Sequence, residues 1–451
     1  MKLHKLFTIL LLGAVILSAC GPAATPAEEV HETTAPPAEA TAVPPTEEPA
    51  VEAKPVVVSV WTSDLKAVQL AAEAYTAETG KPVTVQEIAR DVLQEKEKTE
   101  LTSKTGAIDI LYVPSEWLAE LAEGGLVEPL DEYMANPELL QPDQSDWASP
   151  GSVDAYRYKD SLYGFPVSMD TLFLYYRKDL IETPPETWDD FLRIAQEQTT
   201  AERYGTTIFG KLPESISWDF INYFWGFGGE LLDENFHPTV NSEEGVAALT
   251  FFTDLLNKYQ VVPPGVPTYE YPEVLAAFQQ DKAAMVIQWN AAYQSFVDPE
   301  QSPLIYDKFE TTVLPGMKMD DGTIYRRSIG HVWGFVMNAS STNKEEAYNF
   351  LVYLTSKEGL KFFPDNADSK NVNSKAILND PAMLEAHPEY AYLADSFQYM
   401  SLWPTTLATS QLILTLAQEA SAALAQTKSP QEAMDDAQQA IDELMQEAGY
   451  Y

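Results

Sequence analysis

The sequence predicts an α/β fold, because segments with strand character alternate with segments of helical character along the chain. Val56–Trp61 has the β-branched density of a buried strand, and the helix-like stretch Leu65–Thr79 follows it. Gly80 ends that helix, and residues 83–85 and 108–113 resume extended runs with a polar helix between them. Such alternation implies a parallel sheet flanked by helices.

A second alternating region occupies the middle of the chain. Residues 171–176 predict a strand, Trp188–Gln198 a helix and residues 206–209 another strand. After the N-terminal segments described below, about 400 residues remain, enough for two domains of roughly 100–200 residues each. The pattern and the length therefore predict a second α/β lobe.

Three helix starts are marked by capping residues. Ser242 precedes a helix, and residues 342–345 and 429–432 match the capping-box pattern. The helix after Ser242 is supported by an apolar stripe with i, i+3, i+4 spacing, made of Ala248, Leu249, Phe252, Leu255 and Leu256.

Residues 1–20 predict a bacterial lipoprotein signal peptide. Lys2 and Lys5 precede an apolar run over residues 6–17, and small residues lead to Cys20. The run is shorter than the roughly 20 apolar residues that span a bilayer. Cys20 is the only cysteine of the chain, so it is interpreted as a lipid attachment site rather than half of a disulfide. The alternative is an ordinary secretory signal.

Residues 21–55 predict a disordered tether rich in Pro, Ala, Thr and Glu. Paired prolines at 36–37 and 44–45 favour extended polyproline conformations, and the apolar residues are too few to build a core. A propeptide removed during maturation is the alternative interpretation. With the signal, the tether predicts an extracytoplasmic protein anchored to the cell membrane.

Composition and motifs exclude several function classes. The chain has 28 basic and 68 acidic residues and a formal charge of −40, which disfavours nucleic acid and anionic lipid as partners. No phosphate-binding loop, nucleophile elbow or His-Glu-x-x-His pair occurs, and the five histidines are scattered. Neither a cofactor nor a metal site is predicted. Two carboxylates for glycosidic cleavage have no fixed spacing and stay possible.

Tryptophans lie mostly at strand ends or in predicted loops, where open α/β sheets bind ligands. An indole face stacks on the C–H face of a sugar ring, while nearby Asp, Glu or Asn accepts hydroxyl hydrogen bonds. Burial in the core is an equally good explanation for any single one. The set is Trp61, Trp117, Trp218, Trp225, Trp289, Trp333 and Trp403.

An ordered series of segments resembles the extracellular solute-binding proteins of family 1, the sugar-binding lipoproteins of ABC importers. The segments are Leu162-Tyr163-Gly164-Phe165-Pro166-Val167, Leu174-Tyr175-Tyr176-Arg177-Lys178-Asp179-Leu180, Pro185-Glu186-Thr187-Trp188-Asp189-Asp190-Phe191, Gly228-Gly229-Glu230-Leu231-Leu232, Pro238-Thr239-Val240-Asn241-Ser242, Lys282-Ala283-Ala284-Met285-Val286-Ile287-Gln288-Trp289 and residues 341–359. Each is modestly specific, and their order along nearly the whole mature chain is strong evidence.

The resemblance implies a two-lobed periplasmic-binding-protein-like fold of type II, each lobe a mainly parallel sheet flanked by helices, with the ligand cleft between lobes. Residues 56–166 with 332–378 would form the N-terminal lobe, and residues 167–331 with 379–451 the C-terminal lobe. Hinges are expected near residues 167–168, Gly330 and Asn379. The protein would be a non-catalytic monomer that captures a mono- or oligosaccharide and delivers it to ABC transporter permease subunits.

The resemblance also implies a set of ligand-binding residues. Trp289 is the strongest candidate, although Gln288 stands where the family has a glycine. Glu116 and Asp170 occupy positions where acidic side chains receive sugar hydroxyls. The other expected ligand contacts are Trp61, Ser63, Asp64, Trp218, Trp225, Asn290, His331, Trp333 and Trp403.

Three alternatives remain from the sequence. A lipid-anchored glycoside hydrolase would use two of the many acids. A polyamine-binding protein of the same fold would also need acids and aromatic rings. The family includes ferric-ion binders with adjacent tyrosines, and Tyr175-Tyr176 is such a pair, although strand periodicity turns one of the two side chains toward the core.

Overall fold

The fold is organised by a mixed sheet in which two long strands run through the centre of the molecule. A computed structural model describes residues 54–213, 215–367 and 371–451. The predicted signal peptide with Cys20, and all of the predicted tether except residues 54 and 55, lie outside the described residues.

The strands are β1 (Val56–Trp61), β2 (Val83–Ile88), β3 (Ile110–Pro114), β4 (Arg157–Tyr158), β5 (Ser161–Leu162), β6 (Gly164–Arg177), β7 (Met285–Trp289), β8 (Phe309–Thr312), β9 (Met317–Lys318), β10 (Ile324–Tyr325), β11 (Ser328–Met337) and β12 (Met400–Ser401). The α-helices are α1 (Leu65–Thr79), α2 (Arg90–Ser103), α3 (Leu118–Glu123), α4 (Asp131–Met134), α5 (Pro150–Asp154), α6 (Trp188–Gln198), α7 (Ser215–Gly226), α8 (Glu243–Asn257), α9 (Tyr271–Gln279), α10 (Ala292–Val297), α11 (Lys344–Leu354), α12 (Lys357–Leu360), α13 (Phe363–Asn366), α14 (Lys375–Leu378), α15 (Pro381–Ala386), α16 (Glu389–Ser396), α17 (Thr409–Leu424) and α18 (Pro430–Glu447). Short 3-10 turns occur at Ser115–Trp117, Val266–Thr268 and Phe397–Tyr399.

The main sheet has the order β2-β1-β3-β11-β6-β7, with β8 also paired to β6 and β12 to β11. Strand β1 is parallel to β2 and β3, as the alternation of strands and helices predicts. Strand β11 is antiparallel to both β3 and β6, and β6 is antiparallel to β7 and β8. The prediction of a mainly parallel sheet is therefore correct for the first half of the sheet and wrong for the named strands of the second.

Strand β6, with 14 residues, connects the two halves of the sheet. Its first part pairs with β11, and its last part pairs with β7 and β8. Side chains alternate between the faces of a strand. Accordingly Phe173 and Tyr175 lie in one apolar core with β1 and β3, whereas Leu172 and Leu174 lie in a second core with α6 to α8.

Most of the predicted local structure is confirmed. Helices α1 and α6 have the predicted bounds, and α1 ends at Gly80, whose φ of 73° is readily adopted by glycine. The Ser242 hydroxyl accepts a hydrogen bond from the Gly245 N–H, and Ser429 forms a full capping box with Glu432.

Two local predictions are wrong. Residues 206–209 form no regular strand, and next to them only an isolated bridge joins Tyr204 to Ala283 beside β7. The capping box over residues 342–345 does not form either, because the N-cap of α11 is Asn343, one residue after the Thr342 that the pattern requires, and Asn343 makes no capping bond. In the described parts of the chain, every helix is either too short or too polar to cross a lipid bilayer.

Glu97 is a carboxyl group fully buried between α2 and the sheet. One of its oxygens accepts hydrogen bonds from the Ser59 hydroxyl (2.9 Å) and from the Tyr112 N–H (3.1 Å). Burial raises its pKa from 4.5 to about 8, since desolvation penalises the charged form more than these two bonds favour it.

We expect Glu97→Gln to stabilise the protein at pH 8 and to change its stability little at pH 4. The unfolded chain releases this proton near pH 4.5 and the folded chain near pH 8, so rising pH across that window favours unfolding. Thermal unfolding between pH 4 and pH 8 measures the difference. The exposed Glu95 on the same helix provides the control Glu95→Gln, for which no such trend is expected. Parallel pH curves for wild type and Glu97→Gln would contradict the assignment.

Candidate functional site

A cavity of about 820 Å³ opens where the carboxyl ends of β1 and β3 face the starts of three helices. Its lining also takes residues from the centres of β6 and β11 and from the end of β7. The lining residues are Trp61, Thr62, Ser63, Gln94, Pro114, Glu116, Trp117, Asp170, Ser215, Trp218, Tyr271, Trp289, Ala291, His331, Trp333, Ser410 and Ile413. Sequence-distant segments thus meet in one concave site.

Aromatic rings form two groups on the walls of this cavity. On the β1 side, the rings of Trp61 and Trp333 have centroids 4.6 Å apart. On the other side, Trp218 lies edge-on to Trp289 with centroids 5.9 Å apart. The His331 ring sits between the groups, 5.0 Å from Trp218 and 5.3 Å from Trp333. Flat apolar faces therefore border the cavity on both sides.

The position of Trp289 is fixed by its backbone. Its N–H donates to the Gln288 side-chain oxygen at 2.9 Å, and its carbonyl oxygen accepts from the Tyr175 hydroxyl at 3.2 Å. Gln288 is buried, while the Trp289 side chain is half-buried. Trp289 also packs against both apolar cores, so its ring lies at their junction.

Two acids and a histidine supply the ionisable groups nearest the aromatic rings. Glu116 lies in the 3-10 turn after β3, and its carboxylate oxygen Oε2 is 3.4 Å from His331 Nε2. Asp170 stands opposite His331 in the β6–β11 register and accepts a hydrogen bond from the Asn371 amide at 2.9 Å. These oxygens are suited to accept hydrogen bonds from ligand hydroxyl or ammonium groups.

Eight of the twelve predicted ligand-binding residues line the cavity, and four do not. Asp64 is buried and accepts a hydrogen bond from the Tyr112 hydroxyl at 2.9 Å. Asn290 joins β7 to β6, because its side-chain oxygen accepts from the Thr171 N–H at 2.9 Å. Trp225 and Trp403 pack on each other with centroids 5.7 Å apart, and Trp403 also supports Trp218 from behind.

The remaining lining residues were not among the predicted ligand contacts: Thr62, Gln94, Pro114, Trp117, Ser215, Tyr271, Ala291, Ser410 and Ile413. Trp117 was identifiable from its place after β3, next to Glu116. Tyr271 and Ser410 begin or nearly begin helices α9 and α17, and nothing in their local sequence indicates that these helices reach the cavity.

The part of the chain that the structure describes contains no cluster of three or more His, Cys, Asp or Glu side chains arranged to hold a metal ion. Tyr175, half of the tyrosine pair considered for iron, is fully buried, and its hydroxyl donates to the carbonyl oxygens of Trp289 and Asn290 at 3.2 Å. That tyrosine therefore supports the cavity wall from the core.

Comparison with known proteins places this geometry in context. The sequence matches the family described as bacterial extracellular solute-binding protein over residues 59–361. A putative binding protein of Brucella abortus (strain 2308) is 28% identical over 318 residues, or 68% of this chain and 73% of the relative. A probable amino-acid ABC transporter periplasmic-binding protein of Sinorhizobium fredii is 24% identical over 396 residues, or 83% of this chain and 85% of the relative.

Among solved structures, maltose-bound MalE3 of T. maritima is similar with a TM-score of 0.73 and 25% identity. The similarity covers 86% of this chain and 99% of that chain. The predicted two-lobed, type II periplasmic-binding-protein-like fold is thereby confirmed, apart from the antiparallel pairing in the second half of the sheet.

Proposed function

This chain belongs to the family of bacterial extracellular solute-binding proteins, and we propose that it captures a mono- or oligosaccharide and delivers it to an ABC transporter permease. Proteins of this family bind a small solute and are not enzymes. The kind of solute, the residues that hold it and its delivery to a permease are proposed. The likeness to a maltose-bound protein supports a sugar.

The observation that carries the proposal is the aromatic lining of the cavity. Five tryptophans and a tyrosine line it together with the carboxylates of Glu116 and Asp170. A sugar presents C–H faces to such rings and hydroxyl groups to such oxygens. A volume of about 820 Å³ lies within the range of roughly 300–1,000 Å³ typical of small-molecule sites.

We propose residues 56–166 with 332–378 as one lobe and residues 167–331 with 379–451 as the other. Both contribute to the lining: Trp61 and Trp333 come from the first, and Trp218 and Trp289 from the second. Helix α17 of the second proposed lobe approaches the Ser115–Trp117 turn of the first. Closure of the lobes would bury a ligand between these faces.

The proposed hinges lie where chain segments pass between these lobes. At residues 167–168, the segment that contains Asn373 lies beside strand β6. The Asn373 N–H donates a hydrogen bond to the Val167 carbonyl oxygen at 2.8 Å. At Gly330, a Cβ atom would lie 2.3 Å from Met400 Cγ, so glycine there also serves close packing. The third hinge is proposed near Asn379, at the end of α14.

Lipid attachment at Cys20 and a tether over residues 21–55 would hold the folded part at the outer face of the cell membrane. A protein tethered in this way stays close to the permease it serves, which raises the effective concentration of loaded receptor. The proposed receptor is a monomer, anchored as an extracytoplasmic lipoprotein.

A thermal-shift screen of the full chain over neutral sugars, polyols, amino acids and spermidine tests the proposal. A ligand that binds only the folded state stabilises it by about 2.7 kcal/mol at a hundredfold excess over Kd. We expect a sugar to raise Tm. A rise with amino acids alone, as the Sinorhizobium fredii relative's name would suggest, or with spermidine alone, would contradict sugar binding.

A further inference from the structure

The ionisable side chains that line the cavity are two carboxylic acids, one histidine and one tyrosine. Glu116 and Asp170 are carboxylates, His331 and Tyr271 complete the titratable set, and no Lys or Arg contributes among the described residues. An anionic ligand would meet two carboxylates there without a Lys or Arg to pair with. The lining therefore discriminates among ligands by their charge as well as by their shape.

Glu116 is the most constrained of these groups. Its side chain is 7% exposed, and oxygen Oε2 makes no hydrogen bond to any part of the chain that the structure describes. His331 Nε2 is 3.4 Å from that oxygen. Buried carboxylates of this kind are costly unless a donor or a cation reaches them. A ligand in the cavity would reach this carboxyl group through its exposed part, because Oε2 itself is buried against His331.

Lys98 is a basic side chain close to this wall, and it is occupied elsewhere. Its ammonium group lies 5.8 Å from the centre of the Trp117 ring and pairs with the Glu120 carboxylate at 3.0 Å. Glu120 is outside the lining, on helix α3. Lys98 therefore does not take the place of a cation inside the cavity.

The aromatic walls favour the same kind of ligand. Indole faces attract cations through the ring quadrupole, and the attraction grows when the cation is desolvated. Trp289, Trp218 and Trp333 all lie around the His331 ring that contacts Glu116. A cationic group placed beside Glu116 would thus have both a carboxylate and nearby indole rings.

Resting on the proposed sugar-binding function, we propose that the ligand is an amino sugar whose protonated amine pairs with Glu116. A protonated amine adds the attraction of opposite charges to the hydrogen bond that a hydroxyl group would make with the same carboxylate. The sugar ring stacks on the tryptophans, and its hydroxyl groups reach Asp170. Acidic sugars such as uronates and sugar phosphates are rejected by the two carboxylates.

Calorimetric titration at pH 6 with matched pairs tests this inference: glucose against glucosamine, galactose against galactosamine, and cellobiose against the β-1,4-linked glucosamine disaccharide. In each pair an ammonium group replaces the 2-hydroxyl. We expect at least one amino sugar to bind about tenfold or more tightly than its parent. Glu116→Gln should remove that advantage, whereas the control variant Glu95→Gln, at an exposed position outside the lining, should keep it.

The titration results distinguish failure of the amine preference from failure of sugar binding. Neutral sugars that bind as tightly as their amino partners would overturn the amine preference and leave sugar binding intact. An amine preference that survives in Glu116→Gln would overturn the role of that carboxylate. Failure of all these sugars alongside binding of spermidine would overturn both proposals.

Discussion

Replacing Trp289 with alanine should weaken sugar binding by about 1–3 kcal/mol, or about 5- to 150-fold. Its ring lines the cavity edge-on to Trp218 and lies where the two apolar cores meet. Truncation removes a stacking face that packs against Trp218 and both cores before the ligand arrives; the hydrogen bonds to Tyr175 and Gln288 fix the backbone that carries it. Calorimetry with the sugar found by thermal shift gives the dissociation constants.

Trp147→Ala is the matched control for this variant. Trp147 is also half-buried, but it packs near Phe165 with ring centroids 6.0 Å apart and does not line the cavity. Its truncation should leave the dissociation constant unchanged. An unchanged constant in Trp289→Ala would assign that ring to packing alone and contradict the proposed site.

Trp188→Ala should lower the free energy of unfolding by about 3–5 kcal/mol. Trp188 is 1% exposed, stacks within 4.7 Å of the Tyr223 ring and contacts Phe191 edge-on. A Cβ on Gly226 would lie 2.7 Å from its indole nitrogen, so helices α6 and α7 meet closely here. Truncation leaves a cavity beneath the helix that carries Trp218.

Urea unfolding followed by tryptophan fluorescence measures that loss. The smaller change Trp188→Phe keeps an aromatic ring in the same space and should cost clearly less than alanine. If Trp188→Ala lowered the free energy of unfolding by less than about 1 kcal/mol, the second core would tolerate the void. That result would contradict the close packing of this core.

Local signals in the sequence were sufficient for most elements of the fold. Val56–Trp61 and Leu65–Thr79 were predicted with the observed bounds because β-branched density and a glycine stop are encoded within each segment. The strand direction in the second half of the sheet was not predicted correctly, since the pairing of β6 with β7 depends on residues more than a hundred positions apart. The isolated bridge at Tyr204 depends equally on distant partners.

The candidate site was predictable to the extent that its residues follow strands. Trp61, Glu116 and Trp289 each lie at or just after a strand end, and all three line the cavity. Trp225 lies seven residues after Trp218 on helix α7, hence on nearly the same face but two turns further along, where it is buried; composition alone does not distinguish the two. Ser410 and Ile413 reach the cavity only through the packing of α17.

Native mass spectrometry of the full chain incubated with the bound sugar tests the central claim most directly, because it reports stoichiometry and ligand mass together. We predict a one-to-one complex that releases the sugar with its original mass, as expected of a receptor that binds without chemistry. Release of a smaller, cleaved sugar, or the absence of any complex, would contradict the account.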